Sequence, residues 1–530
     1  MNNPVAAARP NILLIICDQL RYDCVGSSGA RPVSTPHMDS IARGGVRFTN
    51  AFTPQPLCCP ARQSLLTSRR PERDGFLWNH DIALKTLSMA PGERLWPRRL
   101  SEAGYRMAYV GKWHESERHS PLEFGYDIYD SDDDYRAFRE GAYGAAKFER
   151  GIEGEIDPVP LEGAHTHWLA RRACARLEEL AGANASTGTN AGTGANAGAG
   201  ANTGSAGGAA ADSCAGAGAA TNASAAMGAS ATCGGAAGGA PWHLRVDFTE
   251  PHPPVRPSVE FARMYDADDI PPWDGFYDDF ADKPYIQKQM VYTWGLENYD
   301  WKRWSSVVAR YYATVSQLDD AVGKILDTLE RSGCAGNTLV VLTPDHGDMC
   351  GAHRMIDKHN VMYDDIVHVP LLMRWPDRLP AGMAADAFVQ NTLDIGPTLL
   401  EAAGLAAGGE NPDGLICDGR SLFPLFGGGA PADWRDCAVS TYNGQQFGLY
   451  TQRMIRDREW KYVWNTADTD ELYNLREDPG ELKNRVRDAR CAETLKSMRR
   501  RLHDVLVREG DGLLKHYWLR DQLLGVTKKL

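Results

Sequence analysis

The 530-residue chain has no apolar run long enough to cross a bilayer: the stretch nearest the amino terminus, 12–17, falls far short of the roughly 20 residues required. Residues 1–10 also lack the apolar centre of an export signal. Both absences predict a soluble, cytoplasmic protein with no membrane partner. Basic charge is in deficit, with 57 Lys+Arg against 69 Asp+Glu and a net charge of -12. That balance argues against a nucleic-acid backbone or an anionic membrane as the main partner, so any anionic ligand must meet basic residues gathered locally. Cysteine is too sparse for a disulfide scaffold. Twelve in 530 residues, without an export signal, are expected to be mostly reduced, buried small residues.

One tract lacks almost everything a core needs. Residues 181–240 contain no Leu, Ile, Val or aromatic residue; 24 Ala and 16 Gly dominate, and Asp212 is the only charge. Nothing there offsets the entropy of ordering the chain, and the glycines oppose a helix. The composition predicts a flexible insertion, carrying Cys214 and Cys233 incidentally, between a helix over 168–180 and a strand over 242–248. Deletion of 181–240 is expected to leave thermal stability and activity within a small factor. A shortened chain that failed to fold would show the tract to be structured.

Elsewhere short apolar runs alternate with longer amphipathic stretches, the pattern of an α/β protein whose mostly parallel sheet is covered by helices on both faces. Four runs matter: 11–17, 106–110, 244–248 and 338–343. A long helix over 304–331 carries an apolar stripe at Val308, Tyr311, Val315, Leu318, Val322, Ile325 and Leu329, with Gly333 as its stop. After about 430 the pattern changes to short mixed strands such as 460–464 and a basic helix over 490–508. We therefore expect a catalytic-sized domain over 1–430 and a smaller C-terminal α+β subdomain over 431–530.

In open α/β sheets ligands gather beyond the carboxyl ends of the strands. Polar residues follow each run here: Asp18 and Gln19 the first, Lys112 and His114 the second, His252 the third, Asp345 and His346 the fourth. Two carboxylates, an amide oxygen and an imidazole suit one divalent cation; the alternative is two ordinary strand-end turns. The segment Leu57-Cys58-Cys59-Pro60-Ala61-Arg62 precedes Leu65-Leu66 of a buried helix face. Pro60 suits a first helical position, which places Cys58 at a helix N-terminus where unpaired amides lower a thiol pKa. Cys59 fits an ordinary buried thiol.

Cys58-x-Pro60-x-Arg62 followed by Thr67 resembles the signature of the type I sulfatases of the alkaline phosphatase superfamily. Supporting motifs are Gly111-Lys112-Trp113-His114, Pro251-His252-Pro253-Pro254, Asp345-His346-Gly347-Asp348 with Gly351, His353 and Lys358, and Glu471-Leu472-Tyr473-Asn474-Leu475. The resemblance spans nearly the whole chain outside 181–240. It implies an alkaline phosphatase-like fold and a sulfate-ester hydrolase in which a maturation enzyme oxidises Cys58 to formylglycine. The hydrated aldehyde attacks sulfur with one hydroxyl and expels sulfate with the other. It further implies one divalent cation, calcium or manganese with magnesium as a third choice, held by Asp18, Gln19, residue 58, Asp345 and His346. Asp345 takes the proton of the attacking hydroxyl, Arg62 and His114 hold the diol, Lys112 and Lys358 contact sulfate oxygens, and His252 contacts sulfate and protonates the leaving oxygen. Asn79 matches a residue that contacts substrate in some relatives, and is otherwise a turn Asn.

Three departures stand out. Gln19 and His346 replace an Asp and an Asn of many sulfatases, a pattern similar to choline sulfatases and to phosphonate monoester and phosphodiester hydrolases. Ser68 replaces the usual Gly. Two other functions stay open: a phosphonate or phosphodiester hydrolase using the same residues, and a non-catalytic anion- or glycan-binding protein in which Cys58 remains a thiol. The expected partner is a small anionic sulfate ester, and self-association into a homo-oligomer is compatible with the sequence.

Overall fold

In the computed structural model, which describes residues 9–80, 87–91, 95–145, 151–186, 239–405, 417–445 and 448–528, the run Asn11–Cys17 lies in the middle of an eight-stranded sheet. The strands in chain order are β1 (Asn11–Cys17), β2 (Val46–Phe48), β3 (Ala51–Phe52), β4 (Arg106–Gly111), β5 (Ile128–Ser131), β6 (Trp242–Phe248), β7 (Thr338–Thr343), β8 (Leu371–Arg374), β9 (Met383–Ala385), β10 (Val389–Gln390), β11 (Ala438–Tyr442), β12 (Gln452–Arg456), β13 (Trp460–Asn465) and β14 (Glu471–Asn474). The large sheet has the order β5-β4-β6-β1-β7-β8-β2-β9, and only β8 runs against the others. β3 and β10 form a separate parallel pair.

The sheet is buried on both faces, which is why β1 is a continuous apolar run and not an alternating one. Leu13, Ile15 and Cys17 pack toward helices His165–Ser186 and Trp301–Arg331. Ile12, Leu14 and Ile16 face the other layer, with Leu65, Trp96 and Leu399 from helices Cys58–Thr67, Trp96–Glu102 and Asn391–Ala402. The apolar stripe of the long helix is buried as the periodicity requires, the helix begins three residues earlier than expected, and Gly333 takes a positive φ of 70° just past its end. Beyond the main sheet, β11–β14 form an antiparallel sheet covered by helix Ala492–Glu509. This is the expected α+β subdomain.

Two expectations need correction. The helix expected to stop near 180 runs on to Ser186, with Ala181 buried in the core, so the first residues of the Ala/Gly tract belong to the fold. The deletion test therefore applies to 187–238, which lie outside the described residues. Helix Cys58–Thr67 starts at Cys58, so Pro60 is its third residue and not its first. The missing N–H of a proline is still harmless there, because the first four helical amides have no intrahelical partner. Nine of the ten described cysteines stand outside any disulfide, as expected for mostly reduced thiols; the exception is Cys334, which is disulfide-bonded. No helix among the described residues is long and apolar enough to cross a membrane.

Candidate active site

Parallel register brings the strand ends to one edge. Ile16 of β1 pairs with Asp247 of β6 and Thr343 of β7, and Gly111 of β4 pairs with Asp247, so Asp18, Lys112 and Asp345 emerge side by side. Helix Cys58–Thr67 points its amino terminus at the same edge. Leu57 is extended, Cys58 is the first helical residue, and all ten residues of the helix are buried. The helix ends at Ser68 in the left-handed region, φ 56°. Glycine enters that conformation without strain, which explains the usual residue at this position.

Asp18, Cys58, Asp345 and His346 bring one ligand atom each within 4.8 Å of one another, and all four are buried. Cys58 Sγ lies 3.3 Å from His346 Nε2 and 3.8 Å from Asp18 Oδ1. His346 Nδ1 is 2.9 Å from the Gly347 carbonyl. With Nδ1–H donating there, Nε2 faces the cluster; burial opposes a proton on it, but Asp345 and Cys58 push its pKa up to about 9, and a bound cation would take the place of that proton. Two carboxylates, an imidazole nitrogen and the residue-58 side chain are a donor set that fits a divalent cation.

Gln19 enters differently from the expectation. Its backbone N–H donates to Asp345 Oδ1 at 3.2 Å, whereas its side-chain amide bonds Asp348, Asp357 at 3.0 Å and Lys358 at 2.5 Å. Position 19 is left-handed, φ 64°, and its carbonyl accepts the Tyr311 hydroxyl proton at 2.6 Å. The sequence reading placed Tyr311 in the apolar stripe of the long helix and did not single out Asp357.

Cations surround the cluster. Lys112 Nζ is 2.5 Å from Asp18 Oδ2. Lys358 Nζ is 3.1 Å from Asp357 Oδ1 and donates to His252 Nε2 at 3.1 Å, while His252 Nδ1 donates to the Pro253 carbonyl at 2.6 Å. Arg62 is wholly enclosed. Its Nε bonds Asp345 at 2.9 Å, Nη2 bonds Asp18 at 3.2 Å, and Nη1 bonds Asp247 at 2.6 Å and the Lys112 carbonyl at 3.4 Å. Its side-chain partners are thus the carboxylates and not residue 58, whereas His114, like His346 and Asp18, hydrogen-bonds the Cys58 side chain. Asn79 Oδ1 accepts the Cys59 N–H at 2.9 Å, capping the helix that carries Cys58. Its side chain thus has a structural partner.

The charges decide protonation. Burial and the neighbouring Cys58 oppose ionisation of Asp18, but Lys112 and Arg62 more than offset them and hold its carboxyl below the usual range. Burial, with Asp18 alongside, pushes Asp345 up. Burial also disfavours a Cys58 thiolate, yet Lys358, Lys112 and His346 overcome it and bring the thiol well below its ordinary value, the expected direction.

The site has a buried ionic layer that the sequence reading missed. Asp247 joins Arg62 to Arg245, and Arg245 joins Glu115; all four are fully buried. A signal was present. In β6 (Trp-His-Leu-Arg-Val-Asp-Phe), His243, Arg245 and Asp247 alternate with apolar residues inside a strand covered on both faces, where an unpaired charge is very costly.

The fold and these residues define a hydrolase of the alkaline phosphatase superfamily. A family model described as sulfatase matches residues 10–405, and one described as N-sulphoglucosamine sulphohydrolase, C-terminal, matches 351–508. The chain belongs to the sulfatase family, and so to the sulfuric ester hydrolases. It is 27% identical to a choline-sulfatase of Rhizobium meliloti, over 92% of this chain and 84% of that one. It is 25% identical to an arylsulfatase of Clostridium perfringens, over 97% of each. In fold it is similar to the phosphonate monoester hydrolase of Agrobacterium radiobacter, with a TM-score of 0.70 at 23% identity, covering 94% of this chain and 96% of that one.

Proposed function

We propose that the protein hydrolyses a small sulfate ester to an alcohol and sulfate, with residue 58 as formylglycine and one divalent cation, calcium, manganese or magnesium. The observation that carries this reading is the buried group Asp18, Cys58, Asp345 and His346 flanked by Lys112 and Lys358. When bound, the cation supplies Lewis-acid polarisation and lowers the pKa of a hydroxyl. Formylglycine supplies an aldehyde whose hydrate offers one hydroxyl to attack sulfur and another to expel sulfate.

The chain's own residues do the rest. Asp345, its carboxyl pushed up by burial and by Asp18, is the proton acceptor for the attacking hydroxyl. Lys112 and Lys358 neutralise sulfate oxygens in an enclosed site, where such charges count for more than in water. His114 orients the residue-58 side chain. His252, its Nδ1–H anchored on the Pro253 carbonyl, turns Nε2 toward Lys358; Nε2 takes a proton from Lys358 and passes it to the leaving oxygen. Asp18, Asp345 and His346 would hold the cation together with the residue-58 side chain. Gln19 supports them through its backbone N–H on Asp345 and its amide on Lys358.

Three measurements test the proposal. Mass spectrometry of the tryptic peptide 48–62, from protein made with its maturation enzyme, should show the aldehyde at Cys58 and the thiol at Cys59; full activity from a thiol-only preparation would refute the mechanism. Side-by-side turnover of an aryl sulfate and a phosphonate monoester separates the leading reading from its closest competitor, which the Gln19 and His346 pattern keeps open. His252→Ala should keep the metal while slowing hydrolysis, most for leaving groups that are poor, high-pKa alcohols. Equal slowing of all substrates, or loss of metal, would remove His252 from the acid role.

A further inference from the structure

Arg62 touches both metal-side carboxylates, but what fixes Arg62 lies one layer deeper. Asp247 Oδ2 accepts Arg62 Nη1 at 2.6 Å and Arg245 Nη2 at 2.7 Å, and its Oδ1 accepts Arg245 Nε at 2.8 Å. Arg245 Nη2 also donates to Glu115 Oε1 at 2.6 Å. Glu115 Oε2 in turn accepts the backbone N–H of His114 at 2.9 Å, and its carbonyl accepts Gln63 Nε2 at 2.8 Å from the helix that carries Arg62. The chain of bonds leaves Arg62, runs through β6, and returns to His114 and to the same helix.

The backbone of Asp247 completes the arrangement. Its carbonyl accepts the Lys112 N–H at 3.0 Å, beneath a turn made by Gly111 at φ 109°. A side chain at position 111 would place its Cβ 2.1 Å from that carbonyl oxygen, so only glycine lets Lys112 close down on β6. Tyr109 packs its ring 4.8 Å from the Arg245 guanidinium and donates its hydroxyl proton to the Lys112 carbonyl at 2.7 Å. Asp247 therefore bears on Arg62 through its carboxylate, on Lys112 through its carbonyl, and on His114 through Arg245 and Glu115.

Burying two arginines and two carboxylates between β6 and the helix above it is expensive, and apolar residues of like volume would often hold the fold as well or better. We propose that Asp247, Arg245 and Glu115 are positioning residues that lock the Arg62 guanidinium, and through it Asp18 and Asp345, in the orientation required for the cation and the reaction. The proposal rests on the sulfatase reading of the site. A planar guanidinium bonded along three edges transmits orientation: with Asp247 in place, Nε and Nη2 must face Asp345 and Asp18. With Asp247 neutralised, the third edge is released and the two carboxylates lose their common reference.

The test uses the full-length matured enzyme with Asp247→Asn, Glu115→Gln and the double variant. For each folded variant, equilibrium dialysis against Ca2+ and, in parallel, Mn2+ measures cation affinity, and steady-state kinetics on an aryl sulfate separates kcat from KM. Asp247→Asn is expected to weaken cation affinity and lower kcat by about 10–100-fold each, the range for residues supporting metal ligands. KM should change less than about threefold, because none of the three residues contacts substrate in this arrangement. The double variant should lose no more than the worse single, since both changes break one chain of bonds. Should Asp247→Asn fail to fold, Glu115→Gln at the outer end carries the same expectation at about 10-fold. Wild-type cation affinity and kcat in a folded Asp247→Asn or Glu115→Gln protein would overturn the relay, as would losses that multiply in the double variant. A wild-type enzyme inert toward every sulfate ester would instead overturn the proposed reaction, leaving the dialysis to judge the relay.

Discussion

Asp18→Ala and Asp345→Ala should each strip the protein of its divalent cation and lower kcat/KM by more than about 100-fold, beyond the loss typical of residues that merely support ligands. The reason is charge. Asp18 and Asp345 are the two carboxylates of the four-residue group, so either change halves its negative charge while Lys112, Lys358 and Arg62 stay in place. The remaining ligands then sit in a surplus of positive charge that repels a cation. The two variants should differ in a second respect. Asp18 is the anion that Lys112 contacts at 2.5 Å, so its loss frees Lys112, whereas Asp345 also receives the Gln19 and His346 backbone amides, at 3.2 and 2.9 Å. Asp345→Ala should therefore disturb both metal-side turns and cost more stability. Metal analysis, kinetics and thermal melts on the same preparations check all three statements; a variant that keeps its metal would remove that residue from the ligand set.

The second large effect belongs to Arg62. Arg62→Met keeps much of the side-chain volume but leaves Asp18, Asp345 and Asp247 without their shared counter-charge in a site closed to water. Breaking a buried pair costs about 3–5 kcal/mol. For a chain of this size that corresponds to a fall in Tm of about 3–5 °C. The pH dependence has a definite sign. Losing the guanidinium, which lowers the pKa of both Asp18 and Asp345, leaves these buried carboxyls raised above their unfolded value, so the deficit is full at pH 7 and shrinks as the pH falls toward 4. Melting curves of wild type and variant at pH 7.5 and 5 should show the gap in Tm narrowing at the lower pH. A constant or widening gap would mean that Arg62 acts through packing and not through charge.

Much of this architecture was legible in the order of residues, for a physical reason. A strand buried on both faces must be continuously apolar, and the first polar residue after it marks the sheet edge, so Asp18, Lys112 and Asp345 could be found without coordinates. Motif spacing located Cys58 on its helix. What stayed hidden depends on partners distant in sequence. Arg62 lies 185 positions from Asp247 and 283 from Asp345, and nothing in its own neighbourhood reveals that one guanidinium serves three carboxylates. The side chain of Gln19 was assigned to the cation by its position beside Asp18, but a left-handed backbone and the pull of Lys358, Asp348 and Asp357 draw its amide into their network. Arg245 and Asp247 carried a readable signal, alternating polarity in an interior strand, that is easily mistaken for an edge strand with one wet face.

The central place of β1 also sets a timetable. Its neighbours β6 and β7 lie more than 200 and 300 residues further along, so during synthesis β1 has no partner until more than 200 further residues have been made. At roughly 5–20 residues per second the wait is on the order of tens of seconds. During it the segment from Leu57 to Thr67 has no core to enter, and Cys58, only 1% exposed in the finished protein, remains within reach of another enzyme. On the proposed chemistry, oxidation of Cys58 must be completed in that interval, because closing the sheet seals the thiol away.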